Sequence, residues 1–118
     1  MARSPQHTKP LPPSVFHILL ALGGEEQHGY AIMRRVEEIT DGSVSMGPGT
    51  LYGSIKRMLA EGLIEETEER PDPALDDERR RYYRVTAEGA RARAVETTRM
   101  ETLLRHAAMS RAPRLGGA

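Results

Sequence analysis

The sequence predicts an α+β domain that is mostly α, with three short helices, a two-stranded hairpin and a long fourth helix. Apolar residues recur at helical spacing in three segments of the first 60 residues, and proline or glycine bounds each segment. A segment rich in tyrosine then follows a run of turn residues, which is typical of a hairpin. A length of 118 residues corresponds to one domain.

Residues 1–12 are predicted to be a flexible arm because they contain three prolines and several polar residues. The first helix is expected to start after Pro12 and Pro13, since proline is tolerated in the first turn of a helix. Phe16 and Leu20 lie on a second flank of this helix, so it has more apolar surface than one small core needs. Its main apolar stripe consists of Val15, Ile18, Leu19 and Leu22.

The second helix is predicted to run from Gly29 to Ile39 and to end at Asp41 and Gly42. Charged side chains occupy the side of this helix that should face water. The expected buried stripe consists of Ile32, Val36 and Ile39.

The third helix is predicted to begin at Pro48, with Gly47 as its N-cap residue, and to end at Gly62. Its expected buried stripe consists of Leu51, Ile55, Met58 and Leu59. The opposite face is small, polar and cationic, and consists of Gly49, Thr50, Gly53, Lys56, Arg57 and Ala60, with Tyr52 and Ser54 on its flanks. Such a face permits close approach and offers donors to phosphates and base edges.

Residues 63–70 and 80–85 are predicted to pair as a hairpin, joined by a loop over residues 71–79 that is rich in proline and aspartate. Side chains alternate between the two faces of a strand, so Tyr82 and Tyr83 are assigned to opposite faces.

Thr86 is expected to cap a final helix over residues 87–110. The apolar stripe of that helix is narrow, and a second copy of the chain would cover it best. Residues 111–118 are predicted to be a disordered tail. The expected homodimer interface combines the two unsupported apolar surfaces and consists of Phe16, Leu20, Met100, Leu103, Leu104 and Ala107.

Three helices followed by a hairpin form the layout of a winged helix-turn-helix domain, predicted here over residues 13–86, with residues 87–110 as a dimerisation helix. In that layout the third helix enters the major groove of DNA. Composition alone does not separate this interpretation from an ordinary solvated helix face. The order of the elements favours DNA.

Charge is balanced in total, with 17 basic and 17 acidic residues, but it is uneven along the chain. Residues 61–78 carry nine acidic residues and one Arg, whereas residues 79–118 carry ten Arg and three Glu. A wing that contacts DNA is usually basic, because carboxylates repel phosphates. Here the loop is acidic and contains Asp72, Asp76, Asp77 and Glu78, although Arg80 and Arg81 follow at once and are expected to reach the DNA backbone.

Other chemistries find little support. The chain has no cysteine, which excludes disulfides and thiol catalysis, and its longest apolar run is too short to span a membrane. The glycines at 47, 49 and 53 lack the preceding buried strand of a nucleotide-binding unit, and none of the four histidines lies in a metal-binding motif. We therefore expect no catalytic residue, no metal and no cofactor, and a cytoplasmic location.

Three stretches together resemble the PadR-like family of transcriptional regulators. They are His28–Tyr30, the third helix from Pro48–Tyr52 to Glu61–Glu65, and Arg81–Thr86 followed by Glu88 and Gly89. The resemblance implies a winged-helix DNA-binding domain with a C-terminal helix used for dimerisation, in a family whose members are mostly repressors and are often released by a small-molecule effector. A symmetric dimer presents two copies of the third helix, so a palindromic DNA operator is expected. Many relatives have serine where Gly47 stands. The residues expected to contact DNA are Tyr30, Gly49, Thr50, Tyr52, Gly53, Ser54, Lys56, Arg57, Arg80 and Arg81.

An alternative hypothesis is a winged-helix module that binds another protein and does not read DNA. The zero net charge and the acidic loop favour this alternative. The cationic pair Lys56 and Arg57 and the resemblance oppose it.

Overall fold

The structure, a computed structural model, describes residues 9–71 and 79–111. Three segments lie outside the described residues: residues 1–8 of the predicted arm, the acidic loop residues 72–78, and residues 112–118 of the predicted tail. The helices are α1 (Pro13–Leu22), α2 (Gly29–Ile39), α3 (Pro48–Ala60) and α4 (Ala87–Arg111). The strands are β1 (Gln27–His28), β2 (Ile64–Glu66), β3 (Arg70–Pro71), β4 (Arg79–Arg80) and β5 (Tyr82–Val85). The predicted α+β, mostly α class is confirmed.

Helix α1 occupies the centre of the core. Pro13 lies in its first turn, and Gly23 ends it with φ 55°, a left-handed conformation that glycine adopts at little cost. The main stripe of α1 is fully buried, as the periodicity predicts, and it packs against the buried stripes of α2 and α3. The core around it contains Ile32, Val36, Leu51, Ile55, Met58, Leu63, Ile64 and Tyr83.

Helix α2 has the predicted bounds, and its N-cap is a histidine. His28 Nδ1 accepts a hydrogen bond from the Ala31 amide at 3.1 Å, which satisfies one of the orphan donors of the first turn. At the other end, Gly42 has φ 80° and closes the helix as expected. The prediction that Ile39 is buried is wrong, because this last residue of the helix is 38% exposed.

The prediction of a two-stranded hairpin is also wrong, because the sheet has three strands. Strands β2 and β5 pair antiparallel, but β1 adds a third strand on the other side of β5, with Gln27 opposite Tyr83 and His28 opposite Tyr82. Strands β3 and β4 form a separate two-stranded sheet further along the wing. A strand of two residues is too short to show alternation, so its pattern gives no signal in the sequence.

The sheet is covered on both faces near β5. Tyr82 and Tyr83 point to opposite faces, as alternation requires, yet both are buried. The Tyr82 ring packs edge-on against the His28 ring at 5.3 Å, and the Arg70 guanidinium lies 3.7 Å from its centroid. Arg84 next in the strand pairs with Glu65 at 2.6 Å, and that hydrogen bond raises the pKa of Arg84.

Helix α4 is joined to the core through its first turn. The predicted cap is confirmed, since Thr86 Oγ1 accepts a hydrogen bond from the Gly89 amide at 3.0 Å. The same hydroxyl donates to the Gly62 carbonyl, and the Thr86 amide donates to the Leu63 carbonyl at 3.1 Å. A Cβ at Gly89 would lie 2.0 Å from the oxygen of that Leu63 carbonyl, so only glycine permits this approach.

The last residues of the predicted arm are held in place by α4. Glu96 is 2% exposed, and its Oε1 accepts hydrogen bonds from the Leu11 amide at 3.1 Å and from Arg99 Nε at 3.2 Å. Leu11 is half-buried and packs against the core. Glu96 therefore ties the segment before α1 to the middle of α4.

Candidate nucleic-acid interface

One face of α3 is open to solvent and small. Leu51, Ile55 and Met58 are buried and fix the rotation of the helix, so the opposite residues point outward. Gly47 caps the helix with no side-chain hydrogen bond, as the sequence predicts. A Cβ at Gly49 or Gly53 would meet no atom within 4 Å, so both sites are unobstructed. We call Gly49, Thr50, Gly53, Lys56 and Arg57 the recognition face, and all five are exposed.

The two cations of the recognition face have different surroundings. Lys56 is exposed and makes no ion pair within the described part of the chain. Arg57 Nε lies 3.1 Å from a carboxylate oxygen of Glu61, one turn further along α3, and its side chain is 54% exposed. An exposed pair of this kind is weak, about 0.3–0.5 kcal/mol, so the Arg57 guanidinium can exchange Glu61 for another hydrogen-bond acceptor.

The flanking residues differ in accessibility. Tyr52 is 49% exposed, and Tyr30 at the start of α2 is 44% exposed. The Tyr30 ring stacks on the His28 ring, with the two centroids 6.5 Å apart. The guanidinium carbon of Arg34 lies over the Tyr30 ring, 5.8 Å from its centroid. Ser54 is half-buried and shares a hydrogen bond of 2.9 Å with Ser14 of α1, so its hydroxyl is engaged within the fold.

The wing contributes Arg80 and Arg81 from β4 and the residue after it. Arg81 is exposed, and its Nε lies 3.6 Å from a Glu66 carboxylate oxygen. Arg80 is half-buried and lines a cleft with Tyr52. The structure therefore brings both arginines close to α3. The acidic residues Asp72, Asp76, Asp77 and Glu78 lie outside the described residues.

A second surface is apolar and lies on α1 and α4. Leu103 is 56% exposed and Leu104 is 68% exposed, although both are large aliphatic residues on a helix. Ile39 lines the same cavity as Phe16 and Leu20 and so adds to this apolar surface. Met109, at 68% exposure, is a further exposed apolar residue near the end of α4. The expected interface residues Phe16, Leu20 and Met100 line one cavity of about 610 Å³, whereas Leu103, Leu104 and Ala107 continue along exposed α4.

Within residues 9–71 and 79–111, no helix is long and apolar enough to cross a bilayer. The same residues contain no group of three or more histidine and carboxylate side chains that could hold a metal ion.

The three helices, the three-stranded sheet and the exposed third helix define a winged helix-turn-helix domain. Residues 18–95 match the family described as "Transcriptional regulator PadR-like family". This match covers more than half of the chain, and the protein belongs to that family. The members are transcriptional regulators, which agrees with the resemblance drawn from the sequence.

Solved structures share the fold. A PadR family transcription regulator from Clostridium difficile has a TM-score of 0.68 and 23% identity, over 80% of this chain and 93% of that chain. Bacillus subtilis PadR, solved in complex with operator DNA, has a TM-score of 0.60 and 20% identity, over 70% of this chain and 45% of that chain. These likenesses confirm the winged-helix architecture with its C-terminal helix.

A curated relative is similar over a shorter stretch. An uncharacterized 37.1 kDa protein of a Streptomyces fradiae transposon is 38% identical over 53 residues, which is 45% of this chain. The chain spans only 15% of the length of that protein.

Several residues that shape this candidate interface could not be identified from the sequence pattern. Tyr83 lines the same cleft as Arg81, but its alternation assigns it only to a face of the hairpin. Gly89 and His28 were identified only through the family resemblance, because their roles depend on contacts between distant parts of the fold. Histidine is not among the usual N-cap residues, so no local signal identifies His28 as a cap.

Proposed function

We propose that the protein is a sequence-specific DNA-binding repressor that acts as a homodimer and inserts α3 into the major groove. The single observation that carries this proposal is the recognition face. It combines two glycines for close approach with Thr50, Lys56 and Arg57 as donors, and the buried side of the helix holds this face outward. The complex of Bacillus subtilis PadR with operator DNA supports it.

The chemistry of the two cations indicates which part of the DNA each would contact. Lys56 is a point charge without an ion pair in the described chain, which suits a phosphate. Arg57 has a planar fork that can bind guanine through two hydrogen bonds, and its pair with Glu61 is weak enough to exchange. A duplex titration at two salt concentrations tests the proposal, because phosphate contacts make the affinity fall steeply with salt.

Dimerisation would cover the apolar surface of α1 and α4. The second half of α4 lies exposed and has no packing partner within the described chain, whereas short helices are marginal in water unless they pack. A symmetric dimer presents two copies of α3, so the operator should be palindromic, with half-sites about 34–36 Å apart or a multiple of that.

Light scattering tests the dimer directly. The wild-type mass should be twice the monomer mass of 13.1 kDa. Leu104→Glu should shift the protein toward monomer, because it places a charge in the proposed interface. Thr98→Glu adds the same charge to the opposite side of α4 and should leave the dimer intact. A wild-type mass of one monomer at all concentrations would refute the dimer.

An effector would fit the cavity of about 610 Å³ between α1, the end of α2 and α4. This volume lies within the usual range of ligand pockets, about 300–1,000 Å³. The walls are mostly apolar, with Phe16, Leu20 and Met100 among them, so a small apolar molecule is the expected class. We also place the protein in the cytoplasm, since its proposed partner is DNA.

A second candidate is a winged-helix module that binds protein. One observation favours it: Arg57, Arg70, Arg81 and Arg84 all lie within 4 Å of glutamate carboxylates, so much of the local cationic charge is already compensated. A salt-dependent shift of random duplex DNA supports the DNA-binding function, whereas the absence of any shift at low salt supports this alternative.

A further inference from the structure

The wing bends between its two small sheets. Strands β2 and β5 pair as far as Glu66 opposite Tyr83, and β3 and β4 resume the pairing with Arg70 opposite Arg80. Three residues separate Glu66 from Arg70, whereas only two separate Arg80 from Tyr83. One extra residue on one strand is the mark of a β-bulge, which disrupts the ladder of hydrogen bonds and bends the strand. We call β3 and β4 the outer wing, and ladder hydrogen bonds alone do not fix its angle to the rest of the domain.

One carboxylate spans this bend. Glu26 lies in the turn between α1 and β1, 41 residues before Thr67, and it is half-buried. Its Oε1 lies 3.0 Å from Arg70 Nη2 in the outer wing and accepts a longer hydrogen bond of 3.4 Å from the Thr67 hydroxyl. Its Oε2 accepts a hydrogen bond of 3.3 Å from Arg84 Nη1 in β5. Glu26 therefore contacts both sheets and the bend between them.

Arg70 is also held by an aromatic ring. Its guanidinium carbon lies 3.7 Å from the centroid of the Tyr82 ring, a distance at which the ring face attracts a cation. The Tyr82 ring packs in turn against the ring of His28, the N-cap of α2. The contacts of Arg70 with the Glu26 carboxylate and with the Tyr82 ring therefore connect the outer wing to the start of α2.

The backbone that carries Glu26 is held on both sides. The neighbouring Gln27 donates hydrogen bonds from Nε2 to the carbonyls of Ala21 at 2.8 Å and Leu22 at 3.5 Å, at the end of α1. The backbone of Gln27 also pairs with Tyr83 in β5. Because the next residue is joined to α1 and to the sheet, Glu26 presents its carboxylate to the wing from a fixed base.

We propose that Glu26 is a positioning residue that sets the angle of the outer wing to the helices by holding Arg70 against the Tyr82 ring. A single exposed ion pair contributes little, but a carboxylate shared by two guanidinium groups and a hydroxyl forms a network. The consequence for DNA rests on the proposed DNA-binding function. A wing that already has its angle loses no further freedom on the duplex, whereas ordering a mobile wing would lower the affinity. Glu26 has the same sign of charge as a phosphate, so this role differs from a DNA contact.

The decisive variant is Glu26→Gln, which removes the charge and keeps the size of the side chain. In the wild type, the ring current of Tyr82 should move the NMR signals of the Arg70 side-chain protons upfield, because the guanidinium lies over the ring. Glu26→Gln should lose most of this upfield shift. Amide relaxation at Arg70 and Arg80 should also show larger fast motion than in the wild type.

Glu25→Gln is the matched control. Glu25 is the neighbouring glutamate, and it is exposed and makes no ion pair within the described part of the chain. This variant should keep the Arg70 shift and the wild-type amide relaxation. Arg70→Gln should give the same mobility at Arg80 with Glu26 intact, and adding Glu26→Gln to it should change nothing further, because the two residues act through one contact. Thermal unfolding of each variant shows whether the fold is intact, and only variants that unfold as the wild type does are compared.

Duplex titrations measure the consequence for DNA. Each glutamate variant removes one carboxylate, so a comparison between the two variants separates the wing angle from the change in charge. Glu26→Gln should bind a duplex selected from a random pool roughly three- to tenfold more weakly than Glu25→Gln.

Two results would overturn the proposal. If Glu26→Gln keeps the upfield shift of Arg70, Glu26 does not position the outer wing. If Glu26→Gln loses that shift but binds the selected duplex as tightly as Glu25→Gln, the wing angle has no effect on DNA affinity. If the wild type binds no DNA at low salt, the proposed function itself fails, whereas the Arg70 signals still decide whether Glu26 positions the wing.

Discussion

Gly89→Ala tests how closely α4 is joined to the DNA-binding domain. The added Cβ would lie 2.0 Å from the Leu63 carbonyl oxygen and 2.9 Å from its carbonyl carbon. Both atoms belong to the backbone, so α4 must retreat by about 1 Å to reach an acceptable contact. That retreat would strain the hydrogen bond from the Thr86 amide to the same carbonyl, now 3.1 Å long.

Two opposing effects determine how much unfolding free energy Gly89→Ala should lose. Overpacking costs about 1–3 kcal/mol, and the upper end applies here because the obstruction is backbone. Alanine gains about 1 kcal/mol over glycine inside a helix. The net result is a loss of roughly 1–2 kcal/mol of unfolding free energy, equivalent to a fall in Tm of roughly 4 °C or more for a domain of this size.

Gly53→Ala provides the matched control for stability. Gly53 is also a helical glycine, but a Cβ there would meet no atom within 4 Å. This variant should gain about 0.5–1 kcal/mol through helix propensity alone. Chemical denaturation of the two variants and the wild type gives the comparison. A Gly89→Ala protein as stable as Gly53→Ala would show that α4 does not rest against the Leu63 carbonyl.

Three further outcomes are expected. Thr86→Ala should lower stability by about 1 kcal/mol through loss of the helix cap, whereas Thr86→Ser should not, as urea titrations of both would show. Glu96→Ala should remove the hydrogen-exchange protection of the Leu11 amide, and protection equal to the wild type would contradict the contact. Because the pKa of Tyr83 is raised above 10.0, its proton is held more tightly in the folded state. The stabilisation of the fold by this proton is complete below pH 10.0 and is lost as the pH rises through the raised pKa of Tyr83. Tyr83→Phe should therefore lose less unfolding free energy at alkaline pH than the wild type does.

The helices could be predicted from the sequence because their signals are local. Proline at the first turn, glycine at the end and apolar residues at helical spacing place α2 between Gly29 and Ile39 and start α3 at Pro48. The recognition face follows from the same periodicity, since burying Leu51 and Ile55 determines which residues point outward.

The sheet and the cleft depend on contacts between distant segments, and the sequence does not encode these in a short pattern. Strand β1 exists because two residues pair with β5, more than 50 residues later. Tyr83 is buried because helices and strands cover both faces of β5, and alternation alone predicts one wet face. Glu96 looks like an exposed helix residue, but the segment before α1 folds over it and supplies the Leu11 amide.

The central claim is that α3 reads DNA, and titrations of Lys56→Ala and Arg57→Ala on a selected duplex and on random DNA at two salt concentrations test it most directly. Lys56→Ala should weaken all duplexes about equally and lower the salt slope by about one unit per site. Arg57→Ala should cost about 1–3 kcal/mol on the selected duplex and relax one base pair per half-site. Arg91→Ala removes the same charge from α4 as a control and should bind DNA as the wild type does. If neither α3 variant loses affinity for any DNA, α3 is not the reading helix and the protein-binding alternative holds.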